Sequence, residues 1–301
     1  MRSFIAIALP SFLMAATSHA DTRPLSGTRY TDVEYGQAGA TTLLFDGYVP
    51  AGPGPFPAVI LVHGGGWVTG DKRVSVQPLF QPLAQAGFAW FSITYRLATD
   101  IHKKPQGDLL SNGASSLLML GTAVDDVRTA IRFIKQHASE YRVDPTRIAL
   151  IGESAGGQLV SMAALRPAPD TEVRAVVAFY SPSDLADLAK SSERVPDSVR
   201  QAIQGTPWEG LLLGGLRELS PVTWVRRDAP PFLLIHGTAD TLVPFGQSTE
   251  MCNKLNAVGG VCTVFPMRGV GHGVRWWESD NRTEYKRVMI SFLEQQLNSR
   301  L

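Results

Sequence analysis

The sequence predicts an α/β domain, a mostly parallel central sheet of about eight strands with helices on both faces. Three observations carry this. The continuous apolar run 58–62 has the length and character of a strand buried on both faces, and a further strand is read at 232–236. Helical spacing alternates with them, which implies crossover connections between parallel strands. At 147–157, RIALIGESAGG, an apolar segment passes through Gly-x-Ser-x-Gly into helical spacing, so Ser154 sits at the tip of a sharp strand-to-helix turn.

Taken in order, residues 1–20 read as a cleavable leader that leaves 21–301 as a single domain. Arg2 gives the positive start, 4–16 are almost wholly apolar, and Ser18-His19-Ala20 has the small-x-small form that a signal peptidase cuts. The apolar run is too short to span a bilayer comfortably. The expected destination is therefore secreted or periplasmic with no stable membrane anchor, the rival reading being a buried first strand or helix. Residues 30–35 and 41–49 form a hairpin about a glycine-containing turn. AGPGPFP is a loop, and the strand 58–62 ends in His63-Gly64-Gly65-Gly66-Trp67.

A helix over 74–86 and a strand over 88–94 follow. The most regular helix, 123–141, aligns Val124, Val127, Ile131, Ile134 and Ala138 on one face. Asp144-Pro145 closes its exit loop before the strand that leads to Ser154. Strands at 174–179, 232–236 and 261–265 and helices at 245–255 and 283–297 complete the pattern. Two longer segments, 97–122 and 184–227, interrupt it. Long connections at the carboxyl ends of strands cover ligand sites, so both are expected to form a small lid or substrate wall.

The 301 residues are 44% hydrophobic and 18% charged, enough for a sizeable core. Lys plus Arg (28) and Asp plus Glu (27) nearly cancel without a long basic run, so neither a nucleic-acid groove nor a polybasic membrane patch is expected. The partner is expected to be a small or neutral molecule. The two cysteines, Cys252 on the helix at 245–255 and Cys262 on the next strand, are expected to pair in an oxidising compartment and staple helix to sheet. The alternative is two buried thiols acting as small hydrophobes. Nothing around them has the spacing of a zinc site, and no metal or other cofactor is expected.

An acyl-transfer serine needs a base, a carboxylate that orients the base, and donors for the oxyanion. Asp240, in the polar loop HGTADTLVP, and His272, between Gly271 and Gly273, each follow a separate strand. The order Ser154, Asp240, His272 is one in which such triads occur. Asp184 and Asp228 are alternative acids, but neither directly follows a strand end in a polar loop. In HGGGW, consecutive glycines turn amides toward a ligand with no side chain in the way. Gly65 and Gly66, with the amide of Ala155, are the expected oxyanion donors, the Trp67 amide being a substitute. His63 and His236 at strand ends read as structural, His63 bracing the glycine loop, and His102 and His137 as surface residues. Glu153 either tunes the nucleophile or solvates the turn.

With HGGGW and GESAGG in place, the chain resembles the α/β-hydrolase superfamily, and within it bacterial esterases of the feruloyl and acetylxylan esterase type and the related hormone-sensitive-lipase type. The resemblance runs from about Tyr30 to the C-terminus. It implies a cofactor-independent serine carboxylic-ester hydrolase, with Ser154, Asp240 and His272 as triad and Gly65, Gly66 and Ala155 at the oxyanion positions. The longer segment after Tyr95-Arg96-Leu97 departs from many relatives, which bears on acyl and alcohol preference. Expected substrates are short-chain or plant cell-wall acyl esters, feruloyl or acetyl, then polyesters and lipids. A serine amidase or peptidase and a non-catalytic binding protein are the rival classes. Trp67, Trp208, Trp224, Trp276 and Trp277 are candidates for a planar acyl pocket, with Trp67 the expected substrate contact.

Overall fold

The computed structural model describes residues 26–101, 109–191 and 209–298. The leader, His102 and Trp208 lie outside them. Eight strands form one sheet: β1 (Gly27–Ala38), β2 (Thr41–Pro50), β3 (Phe56–Val62), β4 (Ala89–Ile93), β5 (Val143–Glu153), β6 (Ala175–Phe179), β7 (Phe232–Gly237) and β8 (Cys262–Met267). Their order is β1-β2-β4-β3-β5-β6-β7-β8. The β1–β2 and β2–β4 pairs are antiparallel, and β4, β3, β5, β6, β7 and β8 run parallel. The expected hairpin and parallel sheet are both present.

Helices α1 (Gln77–Gln85), α2 (Ala98–Ile101), α3 (Leu109–Gln136), α4 (Ala155–Leu165), α5 (Leu185–Ser191), α6 (Glu209–Glu218), α7 (Gly246–Ala257), α8 (Val274–Ser279) and α9 (Glu284–Asn298) connect the strands. The period of two along each strand divides the core. On β3, Ala58, Ile60 and Val62 pack with α3, α4 and α7, whereas Val59 and Leu61 face α1 and α9. The same alternation on β5 sends Ile148 and Leu150 one way and Ala149 and Ile151 the other. These side chains are 0–1% exposed, and full burial of a Val, Leu or Ile contributes roughly 1.5–3 kcal/mol.

Two elements depart most from the sequence reading. The long helix α3 starts at Leu109, not at 123, and ends at Gln136. LLSNGASSLLMLG carries Leu and Met at helical spacing, and the segment is helical despite the roughly 1 kcal/mol cost of each of its two glycines. Much of what read as an insertion at 97–122 is therefore helix. Strand β5 begins at Val143 and contains Asp144-Pro145. The Asp144 carboxylate accepts from the Thr146 amide (2.9 Å) and from Arg147 Nε (2.8 Å), and the β3–β5 register shifts between Phe56 and Ala58. At the carboxyl end of β4, Arg96 grips Asp126 of α3 in a bidentate pair (2.6–3.0 Å) and donates to the Thr122 carbonyl (2.9 Å). The segment 184–227 contributes α5, α6 and a 3₁₀ turn at Pro221–Trp224, and α6 packs against α5 and α3. Cys252 and Cys262 are joined as a disulfide, Cα to Cα 5.2 Å, which ties α7 to the edge strand β8.

Candidate active site

The sheet brings four loops to one end. β5 delivers Ser154 with φ 51° and ψ −118°, a left-handed conformation that costs a non-glycine residue about 1–3 kcal/mol. The surroundings hold it there. Its amide donates to Phe179 O (2.9 Å) and its carbonyl accepts from the Gln158 amide (3.1 Å). The turn also requires small neighbours: a Cβ on Gly152 would stand 2.3 Å from Gly156 O, and one on Gly156 would stand 2.3 Å from Val62 O.

Asp240 follows β7 with its side chain fully buried. Oδ1 accepts from the amides of Leu242 and Val243, both at 2.9 Å, and Oδ2 accepts from His272 Nδ1 at 2.7 Å. Burial alone would raise this carboxyl. The contacts with His236, His272 and the Val243 amide outweigh it, and the group is held well below the usual carboxylate range. An ionised Asp240 only accepts, so the His272 proton sits on Nδ1 and Nε2 is left with a lone pair. The backbone beside His272 is pinned on both sides: Tyr180 Oη accepts from the Val274 amide (3.0 Å), and Trp277 Nε1 donates to Gly271 O (2.8 Å).

The glycine loop after β3 completes the group. Gly65, Gly66 and Trp67 all have positive φ (121°, 61°, 62°), and a Cβ on Gly65 would meet Thr69 O at 1.9 Å. No acceptor among the described residues takes the amides of Gly65, Gly66 or Ala155. His63 braces the loop as expected, with Nδ1 2.7 Å from Gly64 O and its ring stacked 4.4 Å from Tyr95. Just downstream, buried Lys72 pairs with Asp32 (2.6 Å) and Asp46 (3.3 Å), fastening the loop to the β1–β2 hairpin.

Ser154, His272, Gly64, Gly65 and Gly66 line one cleft of about 380 Å³, with Val74, Leu242, Val274 and Trp276 as its apolar wall. A larger hollow of about 570 Å³, lined by Arg174, Arg226 and Pro231, holds none of these residues. Trp67 does not line the 380 Å³ cleft, which corrects its expected place. Its indole donates to Gln158 Oε1 (3.1 Å), and Gln158 in turn donates to Leu219 O (2.7 Å), so Trp67 is occupied in a bridge from the glycine loop to the segment 184–227. Among the described residues the tryptophan at the cleft is Trp276, one of the expected pocket candidates, 72% exposed on the short helix α8. Trp277 is buried core, and Trp224 lies under Arg166, 3.9 Å from its guanidinium.

The rival acids are engaged elsewhere. Asp184 accepts from the Asp187 amide at the start of α5 (2.9 Å), and the exposed Asp228 pairs with Arg226 (2.6 Å). His137 is half-buried and stacked on Phe133 rather than free on the surface. Glu153 does not solvate the turn. It is 2% exposed, its Oε1 has no partner among the described residues, and burial pushes its carboxyl up to about 7 against the opposing Ser75 and Tyr180 hydroxyls.

Strand order, elbow and loop positions together are those of an α/β-hydrolase fold. The chain belongs to the BD-FAE family, whose model matches residues 45–106 and 114–255. It is similar to the probable carboxylic ester hydrolase LipM of Mycobacterium tuberculosis, 31% identical over 222 residues (70% of this chain, 48% of LipM). It is also similar to esterase LipC of the same organism, 30% identical over 266 residues (82% of this chain, 60% of LipC). The chain thus spans half to three-fifths of the length of these relatives. Among solved structures, the propionate-bound form of the Thermogutta terrifontis esterase Est2 superposes with a TM-score of 0.70 at 24% identity, covering 90% of this chain and 96% of Est2.

Proposed function

We propose that this protein is an exported serine carboxylic-ester hydrolase acting on short-chain acyl esters, with feruloyl and acetyl esters of plant cell walls as the first candidates. The observation that carries the reading is the 2.7 Å bond from His272 Nδ1 to a buried, ionised Asp240, with His272 lining the same cleft as Ser154, Gly65 and Gly66. In this reading Ser154 Oγ attacks the ester carbonyl as His272 Nε2 takes its proton. The oxyanion is received by the amides of Gly65, Gly66 and Ala155. His272 returns the proton to the leaving alcohol, and water then releases the acid from the acyl-enzyme. Loss of one oxyanion donor would cost about 3 kcal/mol in the barrier.

Short acyl groups suit a cleft of about 380 Å³, and an exposed indole at Trp276 offers a face for a planar acyl group. The relatives support the ester bond: LipM and LipC carry ester-hydrolase names, and Est2 has been seen with propionate and with butyrate. Export is supported by the leader-like residues 1–20 and by the Cys252–Cys262 disulfide. The test is hydrolysis of p-nitrophenyl esters of increasing chain length, methyl ferulate and acetylated xylan by the protein and by Ser154→Ala. Ser154-dependent turnover confined to short chains plus ferulate or xylan acetate is expected. Preference for long chains would move the assignment to a lipase or polyester hydrolase, and cleavage of amides alone would move it to an amidase.

A further inference from the structure

A second histidine reaches the carboxylate of Asp240. His236, at the end of β7, is fully buried, and its Nε2 lies 2.9 Å from Val243 O and 3.3 Å from Asp240 Oδ2. Both of those atoms only accept, so Nε2 carries a proton, directed mainly at the Val243 carbonyl. On the other side of the ring, Nδ1 lies 2.7 Å from Ser248 Oγ of α7, and Phe245 meets the ring edge-on at 5.6 Å. The Val243 carbonyl and the Asp240 carboxylate thus fix the tautomer, and the Ser248 hydroxyl, which can donate as well as accept, donates to the bare Nδ1 and holds the ring from its other side.

The turn 240–243 is thereby closed from both directions. The Val243 amide donates to Asp240 Oδ1 while the Val243 carbonyl accepts from His236. With the Leu242 amide and His272 Nδ1, every acceptor direction of the Asp240 carboxylate faces a donor. Among the described residues, no ion pair to Asp240 accompanies those of His236 and His272. His272 is faced by Asp240 and by the Tyr180 ring at 4.4 Å, with Glu153 and Arg275 elsewhere in the cleft.

We infer that His236, its ring held from the other side by Ser248, is a positioning residue for the reaction: it clamps the turn that carries Asp240 and shares that carboxylate's charge with His272. This rests on the proposed Ser154, His272 and Asp240 chemistry. Without the His236 N–H, Asp240 concentrates its charge on His272 and favours the imidazolium. The turn also loses its clamp, and a displacement of about 1 Å at a catalytic group can cost on the order of 100-fold in rate.

The experiment compares wild type with His236→Leu, His236→Gln and Ser248→Ala, reading kcat, KM and the kcat/KM pH profile on p-nitrophenyl acetate, together with Tm. Expected is a kcat loss of at least about tenfold in His236→Leu with KM little changed, and an acid limb moved to higher pH. Substantial rescue is expected in His236→Gln, whose amide can donate to Val243 O, and a smaller effect in the same direction in Ser248→Ala. Lowered Tm with wild-type kcat and an unmoved acid limb would overturn the inference. If His236→Leu does not fold, Ser248→Ala, which keeps the ring, decides by the same criteria. If wild type itself shows no Ser154-dependent turnover, the ester-hydrolase reading fails. The inference is then judged by the downfield proton resonance of the His272–Asp240 bond: a shift in Ser248→Ala supports it, and an unchanged resonance overturns it.

Discussion

Replacing Glu153 by glutamine should make the protein more stable, and by an amount that grows with pH. The carboxyl is 2% exposed, one oxygen is without a partner among the described residues, and burial lifts it from an ordinary 4.5 to about 7. A shift of that size corresponds to about 3 kcal/mol at 1.36 kcal/mol per unit. For an acid raised on folding, the unfolded chain gives up its proton first as pH rises, so the folded state binds more protons and stability falls with pH. The Glu153 contribution is intact below pH 4.5, declines between 4.5 and 7, and is fully lost above about 7. Glutamine preserves the volume and cannot ionise. Urea unfolding of both proteins at pH 5 and pH 8 cancels the other titrating groups on subtraction. The Glu153→Gln advantage should be about 2.5 kcal/mol larger at pH 8 than at pH 5. An advantage that does not change with pH, or one larger at pH 5, would refute the reasoning.

Three further outcomes follow from the geometry. Ser154→Gly should be more stable than Ser154→Ala by about 1–2 kcal/mol in urea unfolding, because only glycine adopts φ 51°, ψ −118° without strain. Removing the disulfide with Cys252→Ser/Cys262→Ser should cost about 2–3 kcal/mol on loop-closure entropy for a separation of 10 residues, and dithiothreitol should lower the wild-type midpoint but not that of the variant. Asp126→Ala should cost about 3 kcal/mol by leaving Arg96 without its bidentate partner, read as a lowered urea midpoint with an unchanged slope.

The parts of the fold that the sequence exposed are those whose physics is local. Strands buried on both faces, such as 58–62, are continuously apolar, and Gly152 and Gly156 beside Ser154 are dictated by backbone contacts below 3 Å. Ser154, Asp240 and His272 were legible because each loop follows its own strand in a parallel sheet, which brings strand ends together irrespective of chain distance. What was not legible depends on contacts between distant segments. Small and polar residues at 109–122, with glycines at 113 and 121, concealed the first turns of α3, since these residue types give little helical signal by propensity. Trp67 and Trp276 are equally aromatic, and only the fold shows one spent on Gln158 and the other exposed at the cleft. A charged Glu153 beside the nucleophile gave no sign of burial. His236 read as a structural residue at a strand end, and its approach to Asp240, set by the turn 240–243, was not apparent.

The central claim is that Ser154 is a nucleophile activated by His272 and Asp240. Intact-mass and peptide-mapping measurement of the protein after exposure to a serine-directed phosphonate tests it most directly. One phosphonyl adduct, located on Ser154, absent in Ser154→Ala and formed far more slowly in His272→Ala and Asp240→Asn, is the expected result. Labelling at another residue, or labelling of Ser154 at a rate indifferent to His272 and Asp240, would contradict it.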